Sequence, residues 1–157
     1  MPVVDITEAL EEQQDAADDI AEEGEPILLR YDRNFRADAA GRLPPAPNHV
    51  DVETFAVFRA ARIIPGGDTS VVLGDQIALF GELDLKKAEI RGLEGVAMGG
   101  DPGPTGFSIL TSSEAGERPA IGASPTDAGV REFRVLRLIE SKAMSGVPIC
   151  HEVHCRE

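Results

Sequence analysis

The densest set of chemically capable side chains is the run Cys150-His151-Glu152-Val153-His154-Cys155, close to the C-terminus. Two thiols, two imidazoles and a carboxylate are the ligand types that zinc takes. The run also reads as a β-strand, and a strand sends successive side chains to opposite faces. Cys150, Glu152 and His154 would then face one way, and His151 and Cys155 the other. A single tetrahedral site cannot use ligands split in this manner, and structural zinc sites draw ligand pairs from separate turns. A plain C-terminal strand is the expected reading, with no metal and no cofactor.

The two cysteines lie five residues apart on this one strand, which does not suit disulfide geometry. Free thiols in a reducing cytoplasm are expected. The segment Gly99–Gly106 (GGDPGPTG) is rich enough in glycine to suggest a phosphate-binding loop. It lacks the Lys-Ser/Thr ending and the strand-to-helix setting which that mechanism requires, so it reads as a surface turn cluster. Serines and acids are plentiful, but no nucleophile elbow occurs. No catalytic residue is assigned, and the chain is expected not to be an enzyme.

The elements that would position any of these groups are one helix followed by strands. Residues 1–25 carry ten acidic side chains and no basic one, which accounts for −10 of the formal net charge of −13. The acidity is therefore local rather than a uniform surface coat. Within it Ile6, Leu10, Ala17, Ile20 and Ala21 recur at three- and four-residue steps, with Gln13 and Gln14 bridging the gap. Glu8, Glu11, Glu12, Asp15, Asp18, Asp19, Glu22 and Glu23 fill the rest of the arc. This is an amphipathic helix over residues 1–24, with Asp5 or Thr7 as its N-cap and Gly24-Glu25-Pro26 as its stop. Its narrow apolar stripe makes it marginal alone and dependent on docking.

After the helix the pattern turns to β. Ile27–Tyr31 reads as a strand, Asp32–Asp51 as a long Pro/Gly-rich loop, and Thr54–Ile64 as a long strand that ends in the turn Pro65-Gly66-Gly67-Asp68. Val71–Leu73 and Gln76–Phe80 flank Gly74-Asp75, a tight-turn or bulge signal between strands. Lys86–Val96 reads as an extended excursion or a short helix. Phe107–Thr111 and Pro119–Ile121 are short strand candidates. Glu132–Ile139 is a strand whose apolar phase slips between Val135 and Leu136, which predicts a bulge. Ser145-Gly146 turns the chain into a last strand, Val147–Cys155.

At 157 residues, 42 % hydrophobic and 27 % charged, the chain suits one globular domain rather than a disordered one. It has no apolar run of about 20 residues, the length that spans a bilayer, and no signal-peptide pattern at the N-terminus. The expected fold is α+β and mainly β, an N-terminal amphipathic helix followed by a small antiparallel β-barrel or sandwich with long loops. With three lysines and a net charge of −13, the chain is poorly equipped to grip DNA phosphates. It is expected to show no measurable duplex binding at physiological salt.

Taken in order, these elements resemble the head-closure proteins of long-tailed bacteriophages, also called head–tail connectors or stoppers. Those chains open with a helix, a Gly-(Gln or Glu)-Pro-(Val or Ile)-x-Leu-Arg junction, a Pro/Gly-rich loop and a long strand. Gly24-Glu25-Pro26-Ile27-Leu28-Leu29-Arg30 fits that junction residue by residue. Leu73-Gly74-Asp75-Gln76-Ile77-Ala78-Leu79-Phe80 is similar to the family's Gly-Asp and apolar strand. Phe133-Arg134-Val135-Leu136, Ala143–Gly146 and Val147–Arg156 are similar to its closing strand, turn and strand. The likeness spans most of the chain and rests on order and spacing, since each motif is short. Lys86–Ser113 departs from the pattern as an insertion, and Met144-Ser145 replaces small residues or proline in the final turn.

The resemblance implies a structural virion protein of the neck, made in the host cytoplasm. It would form a homo-oligomeric ring, six copies favoured over twelve, between the portal or adaptor and the tail. That ring would close the DNA-filled head and dock the tail, letting DNA pass without specific binding, and it would involve no membrane. A tail-terminator protein of the same neck is the nearest alternative. A small metal-binding module built on the His/Cys strand is the alternative of another class. The interface candidates are Arg33, Arg36 and Arg42 of the first loop against Glu11, Asp15 and Asp18 of the helix. Gly66, Gly67, Asp68 and Asp75 are the candidates for a gate.

Overall fold

The computed structural model describes residues 6–32, 49–62, 71–87 and 107–157. Its elements run in the order α1 (Thr7–Glu23), β1 (Glu25–Asp32), β2 (His49–Ala60), β3 (Gln76–Gly81), α2 (Leu83–Lys87), β4 (Phe107–Ser112), β5 (Val130–Met144) and β6 (Val147–Arg156). The six strands close into an antiparallel barrel in the order β1-β2-β3-β6-β5-β4. The fold class read from the sequence is the one observed. Closure gives each strand a partner on both sides and so protects the sheet edges.

Period-two alternation fills the barrel. Ile27 and Leu29 of β1, Val52 and Ala56 of β2, Ala78 and Phe80 of β3, and Phe107 and Ile109 of β4 point inward. They meet Phe133, Val135 and Leu138 of β5 and Val153 and Cys155 of β6. Leu85 of α2 joins the same cluster and is fully buried. On β5 the inward step lengthens from two residues to three after Val135, and the pairing with β6 shifts register between Val135 and Arg137. The predicted bulge is therefore present, and it keeps both Val135 and Leu138 in the core. The β5–β6 hairpin turns through Ser145 (φ 50°) and Gly146 (φ 78°). Two successive left-handed residues match the right-handed twist of the flanking strands.

A strap, residues 113–129, covers the outer face of β1 and β2. Arg118 donates from Nε to the Ile27 carbonyl at 3.0 Å and from Nη2 to the Thr54 carbonyl at 2.8 Å, while its guanidinium lies 4.9 Å from the Phe55 ring centre. Leu28 and Leu110, a cross-strand pair on the outer side of β1 and β4, are both fully buried. Pro119–Ile121, read from sequence as a strand, is part of this strap and pairs with no strand. Its anchorage comes from the Arg118 side chain, and Pro119 has no N–H to offer a ladder.

Helix α1 packs against β2, β3 and β6. Its buried positions are Ala9, Gln13 and Ile20, whereas Ile6 and Leu10 stand 44 % and 38 % exposed. Gln13 and Ile20 of the expected stripe are buried, and in the first turns Ala9 takes the inward place expected of Ile6 and Leu10. Gln13 Nε2 donates to the Pro148 carbonyl at 2.7 Å, which satisfies a polar side chain turned inward. Ile6 occupies the N-cap position without a side-chain capping bond, in place of Thr7, and Asp5 lies outside the described residues. Gly24 ends the helix in extended backbone (φ −93°, ψ −175°). Space is what requires glycine here: a Cβ would sit 2.6 Å from the carbonyl oxygens of Ile20 and Ala56.

Several expected boundaries move. Strand β2 starts at His49 and stops at Ala60, because His49–Glu53 continue the ladder with Leu28–Asp32. The loop expected over Asp32–Asp51 therefore loses both ends to strands, and residues 33–48 lie outside the described set. Val71–Leu73 is not a strand; Leu73-Gly74 forms a turn, with Gly74 at φ 95°. The stretch Lys86–Ser113, expected as an insertion, contributes the end of α2 and the whole of β4. Strand β4 pairs with β1 and β5 and is integral to the barrel. Residues 88–106, and with them GGDPGPTG, lie outside the described residues. Among the described residues, no helix is long and apolar enough to cross a membrane.

Candidate functional site

The chemically capable residues gather around the β3–β6 ladder. Its register runs from Gln76 opposite Cys155 to Gly81 opposite Cys150. The acids that flank β3, Asp75 before it and Glu82 after it, are thereby brought to the two histidines of β6. Each end of the ladder becomes a buried carboxylate–imidazole pair.

At one end His154 Nε2 lies 2.6 Å from Asp75 Oδ2, with both side chains essentially inaccessible. Arg156 clamps the same carboxylate in bidentate fashion, Nε to Oδ1 at 2.7 Å and Nη2 to Oδ2 at 2.9 Å. The Val72 N–H adds a fourth bond at 3.0 Å. Asp75 is held well below the usual carboxylate range, chiefly by the Arg156 bonds, with the Val72 N–H and His154 adding to them against the cost of burial. The carboxylate is therefore an acceptor for all four bonds. Since Nε2–H donates to it, Nδ1 of His154 is left as a buried lone pair with no bonding partner among the described residues. A lone pair without a partner is the milder of the two tautomeric outcomes, because no N–H is stranded.

At the other end His151 lies between two oxygens. Its Nε2 is 2.5 Å from Glu82 Oε2, and its Nδ1 is 2.6 Å from Ser141 Oγ. His151 and Glu82 are buried, and the imidazole packs at a tilt against Phe80 with ring centres 5.8 Å apart. Ser141 is exposed and stands directly opposite His151 in the β5–β6 ladder.

The strand-phase expectation for the His/Cys run holds. Cys155 and His151 point inward, while Glu152 points outward to Arg59 at 3.2 Å. The two histidines serve different carboxylates. Among the described residues no group of three or more His, Cys, Asp or Glu is placed to hold a metal ion. Both cysteines are free thiols. Burial, with Asp75 nearby, pushes the Cys155 thiol up to about 12, and burial also raises Cys150. Both stay protonated near neutrality, and a thiol is a poor nucleophile and metal ligand in that form.

Of the expected interface residues, Glu11, Asp15 and Asp18 lie exposed on the outer face of α1, where Gln14 Nε2 donates to Asp18 at 3.0 Å. Arg33, Arg36 and Arg42 lie outside the described residues. Gly66, Gly67 and Asp68 of the expected gate do as well. Asp75, the fourth gate candidate, lies within the described residues. Its side chain is buried, and its backbone carbonyl accepts from the Ala61 N–H at 2.9 Å. The residue anchors the entry to β3.

Sequence reading missed Glu82, Ser141 and Arg118, and also the buried pair Arg30–Asp51. That pair is bidentate at 2.8 and 2.9 Å across β1 and β2, and Asp51 also accepts from the Gly122 N–H at 2.8 Å. The two residues border a cleft of about 380 Å³ under Ile121–Pro125. Only for Arg30, within the junction motif, did the sequence carry a usable signal. No protein-family model, no curated protein and no solved structure matches the chain.

Proposed function

We propose that the chain is a subunit of the neck of a long-tailed bacteriophage, forming a ring that closes the filled head and docks the tail. The observation that carries this reading is the junction Gly24–Arg30, where each family-like residue has a structural task. Gly24 fits where no side chain can, Glu25 and Pro26 open β1, Ile27 and Leu29 enter the core, and Arg30 makes the buried pair with Asp51. A motif used so fully is harder to reach by chance than its length suggests. The helix preceding a closed small barrel is the architecture the resemblance implies.

The acidic face of α1 supports assembly through unlike surfaces rather than self-stacking, because like charges brought together repel. In the ring, DNA passes a protein that offers it few phosphate contacts. The test is to withhold the subunit during assembly. Heads should then fill but fail to join tails, and adding the purified chain should restore joining. Tailed, infectious particles at normal yield without the chain would overturn the reading.

A further inference from the structure

We propose that Ser141 is an activated hydroxyl, able to accept an acyl group from an ester, through a Ser141–His151–Glu82 relay that the neck reading neither needs nor uses. The order of groups is that of nucleophilic serine sites: hydroxyl, imidazole, buried carboxylate. The roles of the two ring nitrogens follow from chemistry. An ionised carboxylate can only accept, so of the two neutral tautomers of His151 Glu82 favours the one that carries its proton on Nε2. Nδ1 is then the acceptor, and the Ser141 hydroxyl donates to it across 2.6 Å. A nucleophile needs a base in this position, and burial between Phe80 and the strands fixes the ring in place.

Two further features separate this arrangement from a serine that merely satisfies a buried histidine. Ser141 is exposed, whereas the two groups behind it are buried, so the relay ends at solvent. Register breaks at Leu138/Glu140 and at Lys142/Ala143 also flank Ser141 on both sides. A bulge takes N–H groups out of regular pairing and re-aims side chains, and such bulges gather beside active sites.

The step is an acyl transfer. Ser141 Oγ bonds to the carbonyl carbon as its proton passes to His151 Nδ1. The ester's C–O bond then breaks, and the leaving alkoxide takes that proton as the alcohol. Water reverses the sequence: its oxygen bonds to the acyl carbon, its proton passes to Nδ1, and Ser141 leaves with the proton restored. No oxidant, metal or cofactor enters. Glu82 touches neither reactant and is a positioning residue.

The test uses the full-length protein and a fluorophosphonate probe, with labelled serines located by mass spectrometry. Ser145, four residues away and also exposed, is an internal control. Ser141 should be labelled at least about 100-fold faster than Ser145, the lower end of what a positioned base supplies. Unfolding in urea should erase the difference, and Ser141→Ala should remove the label while the barrel stays folded. Glu82→Gln, if it folds, should slow labelling of Ser141 at least about tenfold and change its pH profile, which a purely structural contact would not do. Labelling of Ser141 no faster than Ser145 in the wild-type protein overturns the proposal, whether or not Glu82→Gln folds. The neck reading stands or falls separately, on particle assembly.

Discussion

Replacing Asp75 by alanine is expected to destabilise the fold by about 3–5 kcal/mol, the cost of removing one partner from a buried ion pair. The carboxylate accepts two bonds from Arg156, one from His154 and one from the Val72 N–H, and no solvent reaches it. Its loss leaves a buried imidazole and a backbone N–H unsatisfied at once, and it frees the turn at Leu73-Gly74. The same residue sets part of the acid response. Its folded-state value lies below the ordinary one of about 3.9. The unfolded chain therefore binds this proton first as pH falls. The stabilisation is complete above about pH 4 and is lost as pH falls through the folded-state value. Asp75→Asn should flatten that part of the pH–stability curve. Urea unfolding between pH 2 and 7 measures both effects, and a variant with wild-type midpoints throughout would show that the clamp contributes nothing.

The charge-reversed double variant Arg33→Glu with Arg36→Glu is expected to lower particle yield at least about tenfold while leaving the subunit folded, since like charges facing each other cost several kcal/mol. The proposal behind it pairs the first loop of one subunit with the α1 face of the next, through Glu11, Asp15 and Asp18. That face carries eight acids over Thr7–Glu23 and no base. Pairing of exposed charges weakens with salt, because the Debye length is only about 8 Å at 0.15 M. Reversing Asp15 and Asp18 to arginine in the same chain should recover yield. Thermal unfolding checks the fold, and counting assembled particles checks the contact. Normal yield from the double variant removes the pairing.

The parts of this fold legible in the sequence are those where apolar residues run together or alternate along a short segment. Ile27–Tyr31, Phe107–Thr111, Glu132–Ile139 and Val147–Cys155 all became strands, extended by one to several residues where ladders continue. The slip at Val135–Leu136 was visible because a bulge displaces the apolar phase itself. Strand β2 was placed too late because His49-Val50-Asp51-Val52-Glu53 alternates with charges, beside a Pro-rich stretch. Those charges are in use: Asp51 pairs with Arg30, and Glu53 meets Arg118 at 3.2 Å. On α1 only the first turns depart from the expected stripe, where the small Ala9 packs inward and the larger Ile6 and Leu10 stay exposed.

The site was legible only in part. Strand phase separated the ligands of the His/Cys run correctly, but their partners could not be found by any local rule. Asp75 and His154 lie 79 residues apart, and Glu82 and His151 lie 69 apart. Both pairs are consequences of the β3–β6 register, and only the closed barrel establishes that register. Ser141 joins His151 for the same reason, since a cross-strand position depends on the two shifts of register around it.

If the chain is a neck subunit as proposed, cryo-electron microscopy of the neck of the virus that carries its gene tests the central proposal most directly. The account predicts a closed ring of identical subunits, six in number, between the portal or its adaptor and the tail. Each subunit should contribute one six-stranded barrel, with α1 turned toward its neighbour. Intact tailed particles whose necks contain no copy of the chain would contradict it.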